Sequence, residues 1–300
     1  MITPEYLKPG DNIGIIATAR KISLEEIKPA IDKFLEWDFN VLLSKNIFAQ
    51  ENQYAGSDAQ RLNDIQEMLD NPEIKAIVCA RGGYGTVRII DKINFNSFIK
   101  KPKWIVGYSD ITVLHSHIHT HYNIETIHAT MPLNFPADRS DNEALDSLKK
   151  VLTGEKINYS ITHQPLSKPG KAEGILVGGN LSLLYALAAT PSDINTSGKI
   201  LFIEDLDEYL YHIDRMMLQL KRSGKLKNLA GLVVGGMTDM KDNTVPFGKT
   251  AYEIIHDAVK EYDFPVCIGF PAGHIDDNRA LILGRKISLE VKDECSKIIF

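Results

Sequence analysis

The chain has 300 residues, 44% of them hydrophobic and 24% charged, the balance of a globular protein with room for two domains. Its net charge of -5 argues against a nucleic-acid or anionic-membrane surface, which needs a basic field. The three cysteines, Cys79, Cys267 and Cys295, contain no C-x-x-C pair, and no leader or span-length apolar run is present. A soluble cytoplasmic protein without disulfides, metal or cofactor is therefore expected.

The first half alternates regularly. "NIGIIAT" reads as a buried strand, and Ser23 is placed to cap the helix "LEEIKPAIDKFLEW". A strand "NVLLSK", a helix "SDAQRLNDIQEMLD" and a strand "IKAIVCA" follow. "TVRIIDKI" reads as a short helix, "KWIVGYS" as a strand, "ITVLHSHIHTHY" as a helix and "IETIHAT" as a fifth strand. "SDNEALDSLKKVLTG" is a helix with a glycine stop. Five strands alternating with helices predict a parallel sheet covered on both faces, with its ligand site at the carboxyl ends of the strands.

Residues 156–172 are polar and rich in Pro and Gly, and read as a linker or an edge strand. They separate a first domain, 1–155, from a second, 173–300. The second domain mixes strands ("GILVGGN", "KILFIEDL", "LAGLVVGG", "FPVCIGF", "ALILG", "ISLEV", "KIIF") with the helices "YLYHIDRMMLQLKRSG" and "TAYEIIHDAVKEY".

Two stretches fall at strand ends. In "GYSD", Ser109 follows a strand and precedes a helix, the placement of a nucleophile elbow, although Ile111 stands where the second glycine of G-x-S-x-G belongs. Ser109 or Asp110 acting simply as a helix cap is the competing reading. In "ARGGYG", Gly82 and Gly83 allow backbone N–H groups to approach a ligand closely. The motif lacks the Lys-Ser/Thr of a phosphate loop, so an oxyanion donor suits it better. The histidines of "HSHIHTH" sit at every second position. On a helix, His115 and His119 share one face, and His117 and His121 another, so the four do not converge on a metal; a partly packed helix surface is expected. A base and an acid come from the second half. "LFIEDLDE" offers Glu204 and Asp205 at a strand end, and "GFPAGHIDDN" places His274 in a loop after a strand. His256, on a helix, reads as solvated surface.

In order, "LKPGDNIGIIA", "ARGGYG", "GYSDIT", "GGNLSLL", "LFIEDLDEYLYHIDRMM" and "GHIDDNRALILG" resemble the LD-carboxypeptidase (muramoyltetrapeptide carboxypeptidase) family, from Leu7 to Gly284. The resemblance implies an α/β fold, with an N-terminal flavodoxin-like parallel-sheet domain, a smaller β-rich mixed C-terminal domain and a site between them. It implies Ser109 as nucleophile, His274 as base and Glu204 as the orienting acid. The oxyanion donors would be the N–H groups of Gly83 and Asp110, with Arg81, Gly82 and Tyr84 as substrate contacts. The implied substrate is a murein tetrapeptide losing its terminal D-Ala, and a homodimer is the expected assembly. This chain departs from the family pattern at "ATAR" after the first strand and at "HATMP", which bears on substrate preference.

A microcin self-immunity peptidase is the related alternative. It would need an aromatic loop for a nucleobase, and Trp37 and Trp104 both lie in the first domain's frame. A non-catalytic peptide-binding protein is the alternative from another class. The triad residues lie far apart in sequence and can meet only if the domains dock. Asp205 and Glu208 are expected to point away from His274, and the histidine helix to lead away from the cleft.

Overall fold

The computed structural model describes residues 1–300. The first half runs β1 (Asn12–Ile16), α1 (Leu24–Glu36), β2 (Asn40–Leu43), α2 (Asp58–Asp70), β3 (Ile74–Cys79), α3 (Asn96–Lys100), β4 (Trp104–Val106), α4 (Thr112–His121), β5 (Thr126–His128) and α5 (Glu143–Thr153). The second runs β6 (Asn158–Thr162), β7 (Gly170–Asn180), α6 (Leu181–Ala186), β8 (Ile200–Leu206), α7 (Leu210–Arg222), β9 (Gly231–Thr238), α8 (Ala251–Val259), β10 (Val266–Ile268), β11 (Leu281–Leu283), β12 (Lys286–Val291) and β13 (Cys295–Ile299).

Local chemistry sets the helix ends. Ser23 and Glu26 form a reciprocal capping box at the start of α1, as Ser57 and Gln60 do at α2. Gly154, at φ 81°, ends α5 in the left-handed conformation that glycine adopts without a Cβ clash. The helix expected over "TVRIIDKI" is instead two single 3-10 turns, Thr86–Arg88 and Ile90–Lys92.

The first sheet has the order β11-β5-β4-β3-β1-β2. Strands β1 to β5 are parallel, and their 2-1-3-4-5 order is that of flavodoxin-like folds, as expected. The order reverses between β1 and β3, so the loops leaving those strands diverge and open a crevice. The polar stretch after α5 supplies β6, an edge strand of the second sheet. That sheet is mixed, β10-β9-β8-β7-β12-β13-β6. Strands β7 to β10 are parallel, and β12, β13 and β6 continue antiparallel.

The sheets are not independent. β11 crosses back from the second half and pairs antiparallel with β5. One buried apolar cluster runs from Ile13 and Val78 of the first sheet through Leu281 to Phe202 and Val233 of the second. Burial on this scale fixes the sheets against one another, at about 25 cal/mol for each Å² of apolar surface removed from water. Cys79 and Cys267 are buried core residues.

Candidate active site

The turn after β4 is strained at one residue. Ser109 has φ 64°, in a region that side-chain-bearing residues seldom adopt, and is 8% exposed. Such a conformation costs about 1–2 kcal/mol and persists where the surroundings enforce it. Ser109 lies at the strand end and opens a single 3-10 turn, Ser109–Ile111, that leads into α4, the strand-turn-helix placement of a nucleophile elbow.

The glycine loop after β3 meets this turn. A Cβ on Gly82 would sit 2.7 Å from Ser109 Cβ and 2.8 Å from its Oγ, so only glycine permits the approach. Asp110 does not cap α4, contrary to the simple capping alternative. Its buried carboxylate accepts the backbone N–H of Thr86 at 2.8 Å. Thr86 Oγ1 in turn hydrogen-bonds Thr18 Oγ1 at 2.8 Å. The ends of β1, β3 and β4 are thereby tied together. Burial raises the pKa of Asp110, only partly offset by its hydrogen bonds from Thr86 and Gly85 and by the Arg61 charge.

The second sheet brings the imidazole. Glu204 on β8 is fully buried, and its Oε2 accepts Nδ1–H of His274 at 2.6 Å and the His274 backbone N–H at 3.3 Å. Gly273 makes this possible. It has φ 109°, and a Cβ there would lie 2.7 Å from Glu204. With Nδ1 donating to the carboxylate, Nε2 keeps its lone pair free. Burial pushes the His274 pKa down, but the Glu204 charge and hydrogen bond, with the Asp205 charge behind them, outweigh it. The net shift is upward from 6.5.

Asp205, the next residue on β8, points away from His274, as strand alternation requires. Asp205 accepts from Asn180 Nδ2 at 3.0 Å and from the Ser182 N–H and hydroxyl at 2.9 and 2.6 Å. Glu208, past the end of β8, is not turned away as expected: it accepts from His212 at 2.6 Å and lines the same cleft as His274.

Ser109 and His274 both line a cleft of about 590 Å³ between the sheets, with Arg20, Arg81, Gly82, Gly83, Tyr108 and Glu208 among its other walls. A smaller hollow of about 420 Å³ shares Tyr108, Asn134 and His274 with it. No hydrogen bond joins Ser109 to His274 here; such bonds are often long in free enzymes and tighten with substrate. Tyr84 does not line the cleft; it is 45% exposed and its ring lies 6.2 Å from that of Tyr54.

Sequence reasoning missed Tyr108, whose ring packs edge-on against His274 at 4.7 Å and whose hydroxyl donates to Asn134 at 3.1 Å. No local pattern marks it, because it acts through a residue 166 positions away in the chain (274 minus 108). It also gave no role to Arg20, which ends the "ATAR" stretch.

The histidine run is a helix, but it is not a surface. His115, His117 and His119 are 0%, 8% and 4% exposed. Each has its own partner: Gly107 O at 2.9 Å, Ser192 Oγ at 2.9 Å and Thr126 Oγ1 at 3.0 Å respectively. The helix is sandwiched between the first sheet and the second-domain segments, so all of it but the Thr120–His121 end is covered. Burial pushes His115 and His117 down to about 4 and His119 well below 6.5. His256 is likewise half-buried, hydrogen-bonded to Leu166 O at 3.1 Å, rather than free in solvent.

Fold and site together define a class: a serine peptidase on an α/β scaffold, its cleft at the seam of two sheets. The chain belongs to the LD-carboxypeptidase family, whose N-terminal domain matches residues 13–129 and whose C-terminal domain matches residues 173–289. It is 38% identical to a probable murein peptide carboxypeptidase of Bacillus subtilis, over 98% of this chain and 93% of that protein. It is 28% identical to the murein tetrapeptide carboxypeptidase of Pseudomonas aeruginosa, over 93% and 92%. The crystal structure of muramoyltetrapeptide carboxypeptidase from Oxalobacter formigenes superposes with a TM-score of 0.86 at 28% identity, covering 96% of this chain and 97% of that one. The microcin C7 self-immunity protein MccF of Escherichia coli is more distant in sequence, 24% identical over 95% of this chain and 92% of that protein.

Proposed function

We propose that Ser109, His274 and Glu204 act as a triad that hydrolyses the LD peptide bond to the terminal D-Ala of murein tetrapeptides. The observation that carries this reading is the meeting of a strained serine from one sheet and a carboxylate-held imidazole from the other in a single cleft. His274 Nε2 takes the Ser109 proton as Oγ attacks the scissile carbonyl. The N–H groups of Gly83 and Asp110 receive the developing oxyanion. His274 then protonates the leaving amine, and D-Ala departs. Water, deprotonated by the same imidazole, hydrolyses the acyl-enzyme. Glu204 holds the ring and stabilises its cation.

The names of the relatives support the murein substrate. A role in cytoplasmic peptidoglycan recycling, as a homodimer binding neither nucleic acid nor membrane, follows from the family resemblance. It agrees with a net charge of -5, which offers no basic field to nucleic acid or an anionic membrane. Against the microcin alternative, both tryptophans are buried in the first domain, 7% and 0% exposed, and neither can hold a nucleobase.

The test is to offer purified protein a murein tetrapeptide and, separately, an aminoacyl sulfamoyl nucleoside. D-Ala release from the first and no cleavage of the second is expected. Cleavage of the nucleoside alone would replace this reading with the self-immunity one.

A further inference from the structure

We propose that Arg20 anchors the free α-carboxylate of the leaving residue, and so restricts this site to chain ends that carry a free acid. The inference rests on the hydrolytic reading above and names what that site selects.

Arg20 lies four residues past the end of β1 (20 minus 16), on the wall of the cleft that holds Ser109. Its backbone is fixed. Ala19 O accepts the Ala55 N–H and Lys21 N–H donates to Gln53 O, each at 3.0 Å, and residue 20 itself bridges to Tyr54. Its side chain lies on the glycine loop. A Cβ on Gly83, where φ is 116°, would stand 2.6 Å from Arg20 Cγ and Cδ and 3.0 Å from Nε, so the glycine makes room for the arginine stem. The adjacent Gly82 borders Ser109 Oγ in the same way. The guanidinium is thus one loop residue removed from the serine.

The donors of Arg20 are unused, with neither a side-chain hydrogen bond nor an ion pair to any protein group. Arg81, beside it in the cleft, is already engaged by Lys21 O at 3.1 Å and approaches Glu26 at 3.9 Å. An unpaired guanidinium offers a planar fork of donors that matches a carboxylate in bidentate fashion. In a substrate, the α-carboxylate of the leaving residue lies about 4 Å from the scissile carbonyl, roughly one residue's span. It is also the one charge that distinguishes a chain end from an internal peptide. The opposite wall, from the second sheet, carries Asp207 and Glu208. A carboxylate turned that way would meet acids, so the polarity of the cleft directs it to Arg20.

The test compares a murein tetrapeptide ending in free D-Ala with the same peptide ending in D-alaninamide, using wild type, Arg20→Ala and Arg20→Lys. Wild type is expected to favour the acid by at least ~100-fold in kcat/KM, because a site built for a polar group rejects the analogue lacking it. In Arg20→Ala the acid-to-amide ratio should collapse to about 1, and Arg20→Lys should recover part of it. Thermal unfolding should not move, since the side chain is exposed. Loss of packing alone would slow both substrates together and leave the ratio standing. A ratio that survives Arg20→Ala, or a wild type that cleaves acid and amide alike, overturns the assignment of Arg20 while leaving the peptidase reading intact. A wild type that releases no D-Ala from the free acid overturns both.

Discussion

The positive φ of Ser109 ties strain to chemistry at one position. Ordinarily glycine is less stable than alanine through its greater freedom in the unfolded chain, by about 0.4–1 kcal/mol. At φ 64° the Cβ penalty opposes this. Ser109→Gly is therefore expected to unfold at a urea midpoint no lower than that of Ser109→Ala. A clearly less stable glycine variant would show that the turn is not strained. The partner of the serine makes a second prediction. Glu204 raises the His274 pKa by favouring the imidazolium. The base must be neutral to accept a proton, so kcat/KM should rise with pH through that raised pKa. In Glu204→Gln the cation loses its support, the imidazole deprotonates at lower pH, and the acidic limb moves to lower pH while the rate falls by ~10⁴. An unmoved limb would remove His274 from the base role. "GYSD" and the "GH" loop could be read from sequence because short-range rules govern both: a strand-to-helix turn, and a glycine beside a histidine. Tyr108 could not, since nothing in its neighbours reports the ring it packs against.

Among the elements, the β3 glycine loop carries the sharpest steric requirement. A Cβ at Gly82 would have to displace Ser109 by several tenths of an ångström, against backbone held by the Asp110–Thr86 hydrogen bond. Misplacements of about 1 Å cost ~10²-fold in rate. Gly82→Ala is expected to lower kcat by that order with little change in urea midpoint; near wild-type turnover would show that the loop does not border the reaction. Helix α4 sets acid stability. His115, fully buried, titrates at about 4 when folded against about 6.5 when unfolded. Its contribution is whole above pH 6.5, and it is lost as pH falls through the folded value, since the unfolded chain then binds more protons. The loss at full protonation is of order 3 kcal/mol. Urea midpoints should drop between about pH 6.5 and 4, and His115→Gln should flatten the drop. Periodicity placed this helix correctly but not its burial, because a run of histidines looks polar on any scale. Only the second-domain segments packed over it show that all but its last two residues are inside.

In the molecule as a whole, catalysis depends on how the sheets dock. The Asn180 N–H at the end of β7 donates to Thr112 Oγ1 at 2.9 Å, three residues past Ser109. Gly179 lets the backbones approach this closely, for its Cβ would lie 2.5 Å from the same oxygen. Asn180 also reaches Asp205, next to Glu204. Arg285 in the second half meets Glu125 beside β5, at 2.6 Å. Thr112→Val would strand a buried N–H and should destabilise by about 1–3 kcal/mol in urea unfolding. An unchanged midpoint would mean that the seam does not depend on that bond. Alternating apolar runs announced the parallel sheet and its order of elements. The run "ALILG" announced β11 as a strand but not its partner β5, which lies more than 150 positions upstream (281 minus 128), nor the closeness of the two sheets, which is set by glycines whose role appears only when a neighbour is in place.

The most direct measurement is the rate of D-Ala release from murein tetrapeptide by wild type and Ser109→Ala, with unfolding midpoints taken on the same samples. A triad assembled across the seam predicts release by wild type and a loss of ~10⁴-fold or more in a folded Ser109→Ala. Turnover by Ser109→Ala near that of wild type would contradict it.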